Sequence, residues 1–463
     1  MPVTTDHAAL ASLFETHRLL NHAPALSWGV VRDGELQASG GHGADEHTVF
    51  RIASMTKSFT AACVLALRDE GAFALDDPIA RHAPELAAVA APTADAPAVT
   101  IRHLLTMSAG IATDDPWADR HMDISDGELD ALVADGVTFA TSPGTAMQYS
   151  NLGYGLLGRV VRRTTGTSVQ DHVRARFFGP LGMTSSGWTP SEVPASAQIA
   201  VGCDRDGDGY VELEPCGDGV IAPMGGVFTT VRDLAQWVAF LADGFPPRDD
   251  ADDAPLRRAS RREMQQVSRS FPPDRRVASD GVRRVVAGGY GMGLQVLHHE
   301  ELGTVVAHSG GLPGYGSNMR WVAGTGVGLV ALANVTYARM ADATFAALDL
   351  LVARDRVARP QVAVSPALQR AVDALVALLQ AWDDTAADAL FTDNVFLDRD
   401  RATCRAEAER LAERAPLALE RIDARTATEG TAIVRCGDRS ACRVELMLSP
   451  HRAPRVQWYE VSP

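Results

Sequence analysis

The chain contains a single lysine. Lys57 lies in the segment 51–60, Arg-Ile-Ala-Ser-Met-Thr-Lys-Ser-Phe-Thr, and the other 42 of the 43 strongly basic side chains are arginines. Arginine holds a positive charge as well as lysine does but cannot release its proton at usable pH, whereas a desolvated or charge-crowded lysine can. A chain that uses arginine everywhere else and lysine once points to a position that needs an amine able to act as a base. Ser54 stands three residues earlier, so on a helix the two side chains fall on one face at neighbouring turns. The apolar run Phe59, Ala61, Ala62, Val64, Leu65 and Leu67 predicts such a helix from Ser54 to about residue 70, stopped by Gly71. A hydroxyl at its start would have free backbone N–H groups and the positive end of the helix dipole beside it. The plain alternative is Ser54 as an N-cap with Lys57 solvated in the first turn. A serine three residues before a lone lysine arises by chance roughly one time in twenty.

At 463 residues the chain can bury two or three domain cores. A formal net charge of −15 argues against nucleic acid or an anionic membrane as a partner. The use of Arg for Lys elsewhere, with much Ala, reads as a base-composition bias of the genome. The first residues, Met-Pro-Val-Thr-Thr-Asp-His, carry neither a basic region nor an apolar core of signal length, and no apolar run reaches a membrane span, so a cytoplasmic protein is expected. Six cysteines are too few for a disulfide scaffold. Cys203 and Cys216, and Cys436 and Cys442, are spaced to meet across hairpins, with reduced thiols the expectation for both pairs.

Taken in order, residues 6–20 predict an amphipathic helix, and 25–31 and 35–39 two strands joined through Asp33-Gly34. A mostly helical middle, 112–245, holds helices at 148–163 and 227–241 and a hairpin at 198–214. Residues 245–257 and 270–281 read as loops. Strands follow at 290–297, 303–308, 316–323 and 326–333, then a helix at 338–356. This order predicts an α+β fold: one antiparallel sheet built from both ends of the region, flanked by helices, with an all-helical lobe inserted. Residues 1–358 form this domain and the proline-bounded stretch 359–366 a linker. Residues 367–463 form a small α+β accessory domain with helices at 367–381 and 402–414 and strands at 417–427, 431–436, 442–448 and 455–461. No catalytic arrangement stands out in that module, and a packing role is expected, with substrate gating or partner binding as the alternative.

Two further motifs bear on chemistry. Tyr149-Ser-Asn151 sits at the turn before a helix. A tyrosine serves as a general base if nearby cations depress its pKa, and an asparagine amide can orient Lys57 or a substrate carbonyl. A capping Asn beside a core Tyr is the plain alternative. His308-Ser-Gly-Gly311 ends a strand, and its glycines, Gly310 and Gly311, would let a substrate backbone lie against that strand. Singly, His308 is more often structural. Residues 204–209, Asp-Arg-Asp-Gly-Asp-Gly, look like the front of a calcium loop, but Pro215 holds the position that needs glutamate. His298-His-Glu-Glu301 lacks helical ligand spacing. No metal or cofactor is expected.

Ser-x-x-Lys, Tyr-x-Asn and His-x-Gly in this order resemble the serine β-lactamase and penicillin-binding-protein superfamily. The likeness is to its class C-like branch of family VIII esterases, D-aminopeptidases, related amidases and peptide cyclases. It covers about residues 8–356, with supporting matches at 50–57, 75–78, 101–105, 143–144 and at 225–226 ahead of Arg232-Asp-Leu234. The resemblance implies a two-lobed β-lactamase-like domain with Ser54 as nucleophile. Lys57 and Tyr149 would share the general-base role, Tyr149 would protonate the leaving group, and Asn151 would contact Lys57 and substrate. The oxyanion hole would be the backbone N–H groups of Ser54 and of Gly311 on an edge strand. Antibiotic-hydrolysing class C enzymes and carboxypeptidases usually carry Lys, which attracts a substrate carboxylate, where this chain has His308, an imidazole largely neutral at pH 7. That departure fits esterases, amidases and aminopeptidases better. The expectation is a serine hydrolase forming an acyl-enzyme from ester or amide bonds of small molecules or short peptides. A D-aminopeptidase or peptide cyclase is the enzymatic alternative, and a catalytically silent ligand sensor the non-enzymatic one.

Overall fold

Strand β1 (Leu26–Arg32) and strand β2 (Glu35–His42) form the first hairpin. Its turn residues, Asp33 and Gly34, both have positive φ, 51° and 86°, the mirror-image turn that matches strand twist. The chain returns to this sheet only after residue 268. There it adds β3 (Arg269–Ser270), β4 (Arg283–Tyr290), β5 (Gln295–His299), β6 (Gly303–Leu312), β7 (Tyr315–Val322) and β8 (Val327–Ala333). The nine-stranded sheet runs β2-β1-β8-β7-β6-β5-β4-β3, with Asp274–Val277 also paired to β4. The two ends of the region meet where β1 lies antiparallel to β8, Leu26 opposite Ala333.

This computed structural model describes residues 7–272, 274–277, 283–299, 301–354, 357 and 361–463. The chain divides into two compact units, Met1–Arg359 and Pro360–Pro463. In the first unit the main helices are α1 (His7–Leu20), α2 (Thr56–Asp69), α3 (Asn151–Thr165), α4 (Val231–Ala242) and α5 (Met340–Ala353). β8 is buried along its whole length, so it reads as an unbroken apolar run rather than an alternating one. Its residues still divide by parity: Leu329, Ala331 and Ala333 pack with α1 and α5, while Val330 and Leu332 join the core around α2 and α4. Every residue of α2 from Thr56 to Leu67 is buried, and Phe59 stacks on Trp237 of α4 at 3.9 Å. The lobe carried between the two halves of the sheet is helical and joins the same core.

Boundaries differ from the sequence expectation where a side chain caps. α3 opens at Asn151 because Ser150 is extended and its hydroxyl accepts the Gly153 N–H at 3.1 Å. α4 opens at Val231 because Thr230 caps it and Phe228–Thr229 pairs instead with Phe50–Arg51. The strand expected over 290–297 is broken at 291–294, a turn joining β4 to β5. Gly293 there has φ +71°, and a Cβ on it would lie 2.6 Å from the Lys57 carbonyl oxygen. Part of the expected 270–281 loop lies outside the described residues, and 274–277 within it is a strand.

The second unit contains α6 (Pro366–Gln380), α7 (Arg401–Ala412) and an antiparallel meander of β9 (Ala418–Thr426), β10 (Glu429–Arg435), β11 (Ala441–Leu448) and β12 (Val456–Ser462). Two short helices, Asp384–Leu390 and Asn394–Asp398, were not expected from the sequence. Alternate residues of β11 face the core, where Phe391 stacks on Tyr459 at 5.2 Å. All six cysteines are free thiols. Among the described residues no helix is long and apolar enough to cross a membrane.

Candidate active site

Ser54 sits in a short turn, Ala53–Met55, immediately ahead of α2. Ala53 takes φ +51°, a conformation that costs a residue with a Cβ about 1–2 kcal/mol. Neighbouring elements hold it there. The Ile52 N–H donates to the Val227 carbonyl at 2.9 Å, the Val227 N–H to Thr56 Oγ1 at 3.1 Å, and Ser317 Oγ of β7 to the Ile52 carbonyl at 2.8 Å. Gly310 of β6 belongs to this support: a Cβ on it would sit 2.2 Å from the Ile52 oxygen and 2.3 Å from Ser317 Oγ. The missing side chain at Gly310 lets β6 pack against the nucleophile turn. Gly311 faces the side chain of Tyr337, 2.9 Å from where its Cβ would be.

The ammonium of Lys57 is fully enclosed. Its Nζ lies 2.9 Å from Ser54 Oγ, 2.6 Å from Asn151 Oδ1 and 2.8 Å from the Met224 carbonyl oxygen. The orientation of the Asn151 amide is fixed from its other end, because Nδ2 donates to the Asp115 carboxylate at 2.6 Å and a carboxylate only accepts. Both Asn151 Oδ1 and the Met224 oxygen are therefore acceptors. They take two N–H bonds from Nζ, and its third position faces Ser54 Oγ, where the protonated amine donates and the neutral amine presents its lone pair. Burial pulls the Lys57 pKa down to about 8, against the opposing pull of Asp115, Asp119 and Asp114.

Tyr149 is half-buried, its phenol hydrogen-bonded to Ser54 and its ring 4.9 Å from Lys57 Nζ. Burial raises its pKa well above 10, outweighing the bond to Ser54, so the phenol is neutral and Lys57 is the group that loses its proton more readily.

His308 is buried between two partners. Its Nδ1 is 2.7 Å from the Ser309 carbonyl oxygen, which can only accept, so Nδ1 carries the proton and Nε2 accepts from the Tyr290 hydroxyl at 2.9 Å. Burial and then Lys57 lower the His308 pKa to about 3. The imidazole is neutral with both nitrogens engaged.

β6 is an interior strand, but β5 ends at Gln295 opposite Ala307 while β6 continues on β7 to Leu312 opposite Tyr315. From His308 onward it overhangs, so it is an edge strand only in its last five residues. The Ala323 N–H donates to the Thr304 carbonyl, and the register from there to Leu312 has no bulge. Even-numbered residues of β6 thus turn their backbone groups to β7, and the Gly311 N–H points to the open side.

That open side is a cavity of about 420 Å³ lined by Ser54, Tyr149, His308, Gly310 and Gly311 among others. Lys57 and Asn151 stand directly behind the wall. Three carboxylates escaped the sequence reading. Asp114 accepts the N–H groups of Asn151 and Leu152 at 2.7 and 2.8 Å and so ties down the start of α3. Asp115 orients Asn151 and lines the cavity. Asp119 lines it too and accepts the Tyr337 hydroxyl at 2.9 Å. Burial raises the Asp119 pKa to about 6.

Residues 10–353 match the Beta-lactamase family. The chain belongs to that family. Over 262 residues this Beta-lactamase family member is 31% identical to penicillin-binding protein 4 of Amycolatopsis lactamdurans, a match spanning 52% of this chain and 66% of that one. Over 232 residues it is 27% identical to protein flp of Staphylococcus aureus, spanning 47% and 45% of the two chains. The matches thus span from under half to about two thirds of these relatives' length. Among solved structures, an octameric penicillin-binding protein homologue from Pyrococcus abyssi superposes with a TM-score of 0.63 at 20% identity, covering 98% of this chain and 96% of that one. A D-stereospecific amidohydrolase from Streptomyces sp. gives 0.56 at 22%, covering 73% and 97%. A class C β-lactamase gives 0.58 at 19%, covering 75% and 99%. At these identities the likeness to solved structures is one of fold, and the fold is that of the serine β-lactamase and penicillin-binding-protein superfamily.

Proposed function

We propose that the protein is a serine hydrolase that forms an acyl-enzyme on Ser54 from ester or amide bonds of small molecules or short peptides. The observation that carries this reading is the hydrogen-bond pattern of Lys57, two acceptors and one hydroxyl around an amine of depressed pKa. Such an amine accepts the Ser54 proton as Oγ attacks the substrate carbonyl. The backbone N–H groups of Ser54 and Gly311 are the donors proposed for the oxyanion of the tetrahedral intermediate. Tyr149, a neutral phenol bonded to Ser54, hands its proton to the departing oxygen or nitrogen and is reprotonated from Lys57. Water then adds to the acyl-enzyme with Lys57 and Tyr149 again moving the proton, and Ser54 is regenerated. His308 supplies no charge, so a substrate carboxylate gains no ion pair at that position.

The test is incubation with a fluorophosphonate, read by intact mass and peptide mapping, beside turnover of p-nitrophenyl acetate. One adduct on Ser54 and ester turnover are the expected results. An unlabelled Ser54 overturns the proposal. Labelling with no turnover of esters or anilides instead favours a ligand sensor.

A further inference from the structure

The loop after β8 carries a residue in a rare backbone conformation beside the cavity. Tyr337 has φ +52°, a left-handed value that is disfavoured for any residue with a Cβ and most of all for a bulky one. The surrounding backbone is clamped there. The Tyr337 N–H donates to the Tyr315 carbonyl at 3.2 Å, the Thr336 N–H to the Cys203 carbonyl at 3.0 Å, and Thr336 Oγ1 accepts the Gly314 N–H at 2.8 Å. Ala338 lies so close to β7 that a Cβ on Gly316 would sit 2.1 Å from its carbonyl oxygen. Strain held in place by so many contacts points to a side chain whose direction matters.

That direction makes a bridge. The ring lies against Gly311, where a Cβ would come 2.9 Å from Tyr337 Cδ1, and the hydroxyl donates to Asp119 of the helical lobe at 2.9 Å. Tyr337, Asp119, Gly311 and Ser54 line one cavity, so the side chain spans from the sheet wall to the helical wall. The nucleophile turn packs on one face of the β6 overhang, at Gly310, and Tyr337 on the other, at Gly311. The open edge of β6 lies between them. Burial, then Asp119, pushes the Tyr337 pKa up to about 12, so the phenol remains a donor through neutral pH. The residue is nevertheless 47% exposed, so its ring can rotate outward while the clamped backbone stays put.

We propose that Tyr337 is a specificity-determining crossbar: bonded to Asp119, it stops a substituent that leads from the attacked carbonyl past the β6 edge, and so restricts substrates to short groups on that side. This rests on the serine hydrolase reading and deepens it from bond type to substrate length. A longer substituent enters only once the phenol has left Asp119. The hydrogen bond to a carboxylate lost in that movement is strong enough to keep the open form to about one molecule in ten or fewer.

The test uses two length series. The p-nitrophenyl esters of acetate, butyrate and octanoate vary the acyl side, and ethyl, butyl and octyl acetate, followed by titration of the released acid, vary the leaving group. In the wild type, kcat/KM is expected to fall about tenfold or more from the shortest to the longest member of one series. Tyr337→Gly suits the positive φ and removes the ring, and is expected to abolish most of that fall. Tyr337→Phe keeps the ring on Gly311 but loses the bond to Asp119, and is expected to recover part of it; it also decides the matter if the glycine variant does not fold. A wild type equally fast on short and long members of both series overturns the crossbar. So does a length dependence that neither variant relieves while Ser54 still takes the fluorophosphonate, and in both cases the hydrolase stands. Relief by Tyr337→Gly alone overturns the part given to the Asp119 bond. An unlabelled Ser54 with no turnover of p-nitrophenyl acetate overturns the hydrolase and the crossbar together.

Discussion

Replacing Lys57 by arginine keeps a positive charge in the pocket and removes only the ability to become neutral. With a pKa of about 8, Lys57 is unprotonated in roughly one molecule in ten at pH 7 and in nearly all at pH 9. A guanidinium is never so in this range. If Lys57 takes the Ser54 proton, the variant loses the whole general-base contribution, about 10²–10⁴-fold in acylation rate. The structure adds a second effect. Lys57 is fully enclosed by its three partners, and the larger head must push on Asn151 or Met224, costing about 1–3 kcal/mol of stability. Thermal melts of the two proteins therefore accompany the kinetics. The assay is fluorophosphonate labelling of Ser54 from pH 6 to 9. The wild-type rate constant is expected to rise about tenfold per pH unit and to level off above about 8. Lys57→Arg is expected to be slow throughout, without that inflection. A folded variant that labels within a few-fold of wild type, with the same pH dependence, refutes the role of Lys57.

Tyr149→Phe is expected to cost far more on an anilide, about 10²–10⁴-fold in kcat, than on a p-nitrophenyl ester, whose leaving group departs unprotonated. Parallel rate measurements check it. Asp115→Asn removes the negative charge that raises the Lys57 pKa most, so the inflection in the labelling profile is expected to move below about 8. His308 is neutral in the folded chain down to about pH 3, while an unfolded histidine takes up a proton near pH 6.5. The unfolded state thus binds the extra proton, and stability falls with decreasing pH from about 6.5 by up to roughly 1.4 kcal/mol per unit from this residue. Denaturant unfolding at pH 7, 6 and 5 is expected to show a shallower decline in His308→Gln than in wild type.

Much of the fold is legible from local pattern. Asp33-Gly34 declares its hairpin, and the apolar strands of 303–333 declare a sheet. Local signals fail where a distant backbone decides. Gly293 breaks a run that otherwise reads as one strand because the Lys57 carbonyl presses against it, a contact across more than two hundred residues of chain. Gly310 is explained by the Ile52 oxygen, equally far away. At the candidate site, the three motifs could be recognised because each is a fixed short spacing of reactive side chains, and the structure links Ser54 to Lys57 and Tyr149, and Lys57 to Asn151, by hydrogen bonds. Asp114, Asp115 and Asp119 carry no such spacing. In the chain, Asp-Asp-Pro reads as an ordinary turn, and only the fold brings it against Asn151, 36 residues on. The phenol of Tyr149 shows the same limit, since its proton affinity is set by burial that no motif records.

The stub of β5 has a consequence for how this scaffold changes. About 17 Å of β6 backbone stands uncovered beyond it, at some 3.4 Å for each of five residues. The width of the doorway to Ser54 is therefore fixed by how many residues a neighbouring strand contains, and two more there would shut much of it. Insertions and deletions in the 291–294 turn between β4 and β5, rather than swaps of lining side chains, would be the quickest route to admitting bulkier molecules or barring them.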